Sequence, residues 1–200
     1  MILVVTALTA EARPLVAHFQ LERVPELEPL SIFRGPDLAL AVSGVGKEAA
    51  AMAVDQLARV VPSGRPAAWL NLGVAGHRQL EVGTAVMAQA VTDGNSGQVF
   101  RLSPPPEVHL EVGEVRTVTH VETQYDSDSL YDMEAAAFCQ RAVTYTPAEL
   151  VQVLKIVSDN RRTGTLCVSA RQVQGLVEQN FPRIDRLISH LHRMARRRTQ

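Results

Sequence analysis

Apolar positions along the chain keep two different periods. Residues 2–8, "ILVVTAL", are a continuous apolar, β-branched run, the pattern of a strand covered on both faces. Thr9 is a cap for the segment that follows, and Pro14 is compatible with the first turn or so of a helix, so a helix is predicted over residues 10–19. Residues 30–34 and 38–42, "LSIFR" and "LALAV", read as two strands around the turn "GPD". "SGVGK" then leads into "EAAAMAVDQLARVV". There Ala50, Val54, Leu57 and Val61 recur at helical spacing, with Glu48, Asp55 and Arg59 on another face. "AAWLNLG", residues 67–73, reads as a buried strand ending in a glycine turn, and "TAVMAQAVT", residues 84–92, as another strand.

The middle of the chain is less regular. "SPPPE" bars helix and central strand alike, whereas residues 114–121, "EVRTVTHV", alternate as a strand does. A helix is predicted from about Asp132 to Ala142, where "DMEAAAFCQ" carries the helix-forming run Ala135–Ala136–Ala137. "LVQVLKIVSD", residues 150–159, reads as the last buried strand. Val173, Leu176, Val177, Ile184, Leu187, Ile188 and Leu191 mark a C-terminal helix over 169–197, divided or kinked at Pro182. Strands alternating with helices predict one α/β domain over residues 1–200, with a mixed, largely parallel central sheet flanked by helices.

Composition narrows this picture in only a few places. Hydrophobic residues make up 46% and charged residues 20%, enough for a sizeable core and too apolar for global disorder. The formal net charge of −1 gives no overall electrostatic case for a nucleic acid or membrane partner. The tail "RMARRR", residues 193–198, is first a solvated helix end, where cations meet the negative pole of the helix dipole. Two cysteines, Cys139 and Cys167, are too few for a disulfide framework and lack zinc spacing, which points to a reduced, cytoplasmic setting. The six histidines show no metal-binding pair such as HExxH, so neither a metal nor a cofactor is expected.

Ligands of α/β sheets bind beyond the carboxyl ends of strands, so the residues that follow each strand are the candidates. These are Glu11 after the first strand, Ser43 to Lys47 after the third, "NLGVAGH" after the fourth and Asp159 after the last. Each has an ordinary structural reading. A glutamate in the first turn of a helix is favoured by the dipole, "SGVGK" lacks the spacing of a phosphate loop, and Asp159 suffices as a turn cap. Glu134 and Asp132 have the same explanation as helix-start acids.

Taken in order, these stretches are more specific. "VVTALTAEARPL", "VSGVGKEAAA", "LNLGVAGH", "DMEAAA" and "VSD" resemble the successive motifs of the nucleoside phosphorylase and nucleosidase superfamily, and most of all the methylthioadenosine/S-adenosylhomocysteine nucleosidases. The resemblance spans roughly residues 1–160. It implies cleavage of the N-glycosidic bond between ribose and a purine, without a cofactor, by an N-ribosyl hydrolase. Glu11 would take the proton of the attacking water. Glu134 would hold the ribose hydroxyls, with Met133 against the sugar. Asp159 would deliver or share a proton at the purine N7. Ser43, Gly44, Gly73 and Lys155 fall at the corresponding binding positions, and a homodimer is implied. Asp132 keeps the helix-start role.

The chain also departs from that pattern. Val74 replaces the family's serine and Asn71 stands where phosphorylases often carry a phosphate-binding arginine, so water is favoured over phosphate as nucleophile. Lys155 replaces an arginine, keeping the charge and losing the fork. Four residues separate Lys155 from Asp159, which in a regular strand puts both on one face. Residues 93–130 are short, and Tyr125 or Tyr131 is the candidate ring for stacking on the base. A phosphorylase, with Arg13, Arg34, Lys47 or Arg78 rebuilding an anion site, and a non-catalytic nucleoside binder are the alternative readings.

Overall fold

A computed structural model describes residues 1–25, 30–60, 67–163 and 168–197. Val61, Cys167 and Arg198, singled out above, lie outside the described residues. Ten strands and five α-helices are present among those described. β1 (Ile2–Thr6) lies between β4 (Leu38–Val42) and β5 (Ala68–His77), parallel to both. Beyond β4 the sheet continues antiparallel through β3 (Ser31–Arg34) and β2 (Glu22–Arg23).

On its other side β5 pairs in parallel with β10 (Val151–Asn160), and β10 pairs antiparallel with β6 (Ala85–Asp93). β7 (Val99–Arg101) hangs on β6. β6 runs parallel to β8 (Glu111–Thr117), and β8 to β9 (Leu130–Asp132). β9 returns to β5 through the pair Gly76–Tyr131. The circuit β5–β10–β6–β8–β9 is therefore closed. The mixed, largely parallel sheet curls into a barrel with β1 to β4 as an extension, a closure that apolar periodicity does not reveal.

Helices cover both sides. α2 (Lys47–Ala58) and α3 (Ala135–Ala142) share one core, in which Ala53, Val54 and Leu57 meet Phe138, Cys139 and Ala142 against the odd-numbered residues Val151, Val153 and Val157 of β10. α1 (Thr9–His18), α4 (Ala170–Gln179) and α5 (Phe181–Arg197) form the other, where Leu15, Leu176, Leu187 and Leu191 meet Leu154 and Ile156. The break between α4 and α5 falls at Asn180, close to the expected Pro182, and Ser169 with Gln172 forms a capping box at the start of α4.

Three local expectations are corrected. β5 runs on through Gly73 and Gly76 to His77, so those glycines do not make a turn. A side chain at Gly73 would stand 2.9 Å from Glu11 Oε1, and one at Gly76 would stand 2.5 Å from the Tyr125 ring, so glycine is needed there for close approach. The helix predicted from Asp132 starts at Ala135. Asp132 ends β9, and its carboxylate accepts the Ala135 N–H at 2.8 Å, so it serves the helix from outside. Thr9 is the first residue of α1. Its amino end is tied by Glu11, whose carboxylate reaches back to the Leu8 N–H at 2.9 Å.

Candidate active site

Four of the sequence-derived residues, Glu11, Met133, Glu134 and Asp159, line one cavity of about 480 Å³ at the carboxyl ends of β1, β5 and β10. That volume falls in the range of small-molecule sites, ~300–1,000 Å³. One side of the wall is apolar, with Leu8, Val45, Val118, Val121 and Val173. The other holds five carboxylates, Glu11, Glu122, Asp132, Glu134 and Asp159, beside Tyr125, Tyr131 and Ser158. No lysine, arginine or histidine lines it among the described residues.

Glu11 is 2% exposed. One oxygen, Oε2, accepts the N–H groups of Ala7 and Leu8, both at 2.9 Å, and Oε1 accepts that of Val74 at 2.8 Å. A carboxylate offers about four lone-pair sites, so one on Oε1 remains. Burial pushes the Glu11 pKa above its ordinary value, against the lowering effect of the Leu8 and Val74 N–H groups and of the nearby Lys155 charge. Val74, where the family has serine, thus contributes its backbone to the site.

Glu134 is also buried. It precedes α3, and its Oε1 accepts the Gly46 N–H at 2.8 Å from the start of α2, while Oε2 accepts the Met133 N–H at 3.3 Å. Each oxygen keeps a free lone pair toward the cavity. Burial raises this carboxyl too, with Asp132 adding and Lys155 opposing. The Ala-rich start of α3 lets the helix pack tightly on the sheet and brings Glu134 to the cavity floor.

Asp159 stands at the end of β10, where the register against β5 shifts between Val157 and Asp159. The bulge inserts Ser158 and breaks the two-residue alternation. Lys155 and Asp159 therefore do not share a setting. Asp159 turns to the cavity, with Ser158 Oγ donating to Oδ1 and the Tyr125 hydroxyl donating in a short hydrogen bond to Oδ2. Lys155 is sealed behind the wall, its Nζ 2.7 Å from Asp132 Oδ2. Burial pulls Lys155 toward neutrality, but Asp132 and Glu134 outweigh it and hold its pKa above the ordinary lysine value. Asp132, expected as a helix-start acid only, is the partner of this buried cation and also accepts the Thr117 hydroxyl at 2.7 Å.

Ser43, Gly44 and Gly73 also stand behind the cavity surface. Ser43 Oγ is spent on the carbonyls of Thr6 and Gly44, and Gly73 makes room for Glu11. Of the cations considered for an anion site, Lys47 is held by both oxygens of Asp93 at 3.0 Å, and Arg13, Arg34 and Arg78 are not on the wall. Sequence reasoning named Tyr125 and Tyr131 as stacking candidates. It missed Ser158, Glu122 and the valines of the apolar wall, which no spacing rule connects across such separated segments.

The chain has the fold of the nucleoside phosphorylase and nucleosidase superfamily. Among solved structures it is similar to the 5'-methylthioadenosine nucleosidase of Arabidopsis thaliana, with a TM-score of 0.79, 18% identity and coverage of 95% of each chain. It is similar also to the 5'-methylthioadenosine/S-adenosylhomocysteine nucleosidase of S. pneumoniae bound to a transition-state inhibitor, with a TM-score of 0.76, 18% identity and coverage of 94% and 97%. The futalosine hydrolase of Helicobacter pylori superposes at a TM-score of 0.70, with 18% identity and coverage of 93% and 97%. No protein-family model and no curated protein matches the sequence.

Proposed function

We propose that the chain is a nucleosidase that hydrolyses the N-glycosidic bond of a purine nucleoside carrying an apolar 5' group, of the methylthioadenosine type. The observation that carries this reading is the convergence of Glu11, Glu134 and Asp159 on one cavity whose wall holds no cation. Cleavage of a glycosidic bond passes through a sugar with oxocarbenium character, and carboxylates around it stabilise that positive charge. Phosphate, itself an anion, would meet five carboxylates and nothing to neutralise it, which favours water.

The roles follow from the geometry. The remaining lone pair of Glu11 Oε1 orients a water toward the anomeric carbon and accepts its proton. A raised pKa suits a carboxylate to that work near neutrality. Glu134 uses one lone pair on each oxygen for the ribose hydroxyls, with Met133 against the sugar. Asp159 serves the base side. Leu8, Val45, Val121 and Val173 give the 5' group an apolar wall. A second copy of the chain is proposed to pair over the exposed apolar residues Val45 and Met52.

Incubation with a panel of nucleosides in phosphate-free buffer tests the reading. Free base and free sugar are expected, with Glu11→Gln and Asp159→Asn each slowing release by about 10²–10⁴-fold. Base release that depends strictly on added phosphate would instead assign a phosphorylase. Binding of nucleosides by folded protein with no turnover would assign a binder.

A further inference from the structure

The nucleosidase reading needs a proton for the departing base, and the hydrogen bonds around Asp159 bear on where it comes from. Both carboxylate oxygens are acceptors: Ser158 Oγ donates to Oδ1 and the Tyr125 hydroxyl to Oδ2. In this arrangement Asp159 carries no proton to give, while the hydroxyl of Tyr125 does.

Several features hold Tyr125 in place. Its side chain is 1% exposed yet forms part of the cavity wall. Its ring crosses Gly76 so closely that a Cβ there would stand 2.5 Å from it, and it leans on Tyr131 with 5.7 Å between centroids. Its backbone is left-handed, with φ of 50°, a conformation that costs a non-glycine residue energy and persists where neighbours enforce it. Those neighbours are visible. The Glu122 carboxylate accepts the N–H groups of Thr123 at 2.8 Å, Gln124 at 2.7 Å and Tyr125 at 3.4 Å, and Arg161 donates to the Gln124 carbonyl at 2.7 Å. A loop fastened in this way against the end of β10 brings a phenol and a carboxylate together beside the cavity.

Resting on the nucleosidase reading, we propose that Tyr125 is a further catalytic residue: its hydroxyl protonates the departing base, and Asp159 orients that hydroxyl and exchanges protons with it. As the bond from the anomeric carbon to the base breaks, its electron pair goes to the base, whose ring nitrogen takes the proton of Tyr125. Water bonds to the anomeric carbon and gives its proton to Glu11. The tyrosinate regains a proton from solvent through Asp159, and Glu11 releases one, so charge and atoms balance. Phenols ionise near pH 10 (~10 for a free tyrosine), so Tyr125 is a weak acid toward the intact nucleoside. It becomes an effective donor as negative charge builds on the leaving purine. Donation is therefore tied to the transition state.

The test compares Tyr125→Phe with wild type on the best nucleoside of the panel and on a nitrophenyl riboside, whose leaving group departs without protonation. The expected result is a fall of about 10²-fold in kcat for the nucleoside, with KM little changed and nitrophenol release retained. An equal loss on both substrates would show that Tyr125 only holds the site together, and an unchanged or faster nucleoside reaction would show a displaceable cover; each overturns the proposal. Fluorotyrosines placed at position 125 keep the shape should the phenylalanine variant fail to fold. Below the phenol's ionisation, kcat should rise with phenol acidity, and a flat response overturns the proposal. If wild-type protein releases base from no nucleoside, the nucleosidase reading fails and this proposal with it. An active wild type with an unimpaired Tyr125→Phe removes this proposal alone.

Discussion

Glu134 shows at the scale of one residue how the site acts on stability. Burial raises its pKa above the ordinary 4.5, with Asp132 adding to the shift. The folded chain therefore holds that proton to higher pH than the unfolded chain. A carboxyl raised in this way contributes stability that is fully present below its unfolded pKa and lost as pH rises through its folded one. Glu134→Gln removes the cost of burying a charge and keeps an oxygen for the Gly46 N–H. The variant is expected to melt above wild type at pH 7, with the gap closing as pH falls below about 4. Thermal melts at both pH values check this, and a variant that melts lower at pH 7 would contradict the assignment. Lost substrate binding should accompany the gain, as is common where a site carries destabilised groups.

At the scale of elements, β5 and β10 build the site through features that ordinary strand logic excludes. β5 carries glycine at two positions inside a strand because Glu11 and Tyr125 press on it. Gly73→Ala puts a methyl 2.9 Å from Glu11 Oε1, and the carboxylate has to move. A displacement of that order is expected to lower kcat by about 10²-fold, with the melting temperature nearly unchanged, measured by nucleoside turnover alongside a thermal scan. In β10, Lys155 and Asp132 tie that strand to β9 through a buried ion pair. Lys155→Met leaves a carboxylate buried without its partner and is expected to cost about 3–5 kcal/mol in urea denaturation. The apolar runs of β1, β4, β6 and β10 and the helical stripes of α2 and α5 were legible in the sequence, because they reflect burial of whole faces. The four wall residues were legible through the order of the motifs they sit in. The extra residue Ser158 was not, since a bulge leaves no mark on apolar spacing; it undid the inference that Lys155 and Asp159 share a face. The extension of β5 past Gly73 was hidden for a related reason, as glycine signals close approach and turning alike.

The whole molecule adds what neither residues nor strands decide. Closing β5, β10, β6, β8 and β9 into a circuit gathers the ends of distant segments, so that Glu11, Tyr125, Glu134 and Asp159 meet although they span most of the chain. The same closure leaves Val45 at the cavity wall and yet 54% exposed, with Met52 on α2 exposed beside the same edge of the chain. Apolar side chains left in water at the rim of a site are explained if a second copy covers them. On the proposed pairing, Met52→Asp places a charge in the apolar contact and should shift the protein from dimer to monomer in sedimentation velocity at micromolar concentration. Because Val45 belongs to the wall proposed for the 5' group, the monomer should also bind an apolar 5' substituent more weakly. KM for a methylthio nucleoside is then expected to rise more than KM for the plain nucleoside. A Met52→Asp protein that sediments as wild type, or one that loses both substrates equally, would leave Val45 and Met52 as solvated surface and the cavity complete within one chain.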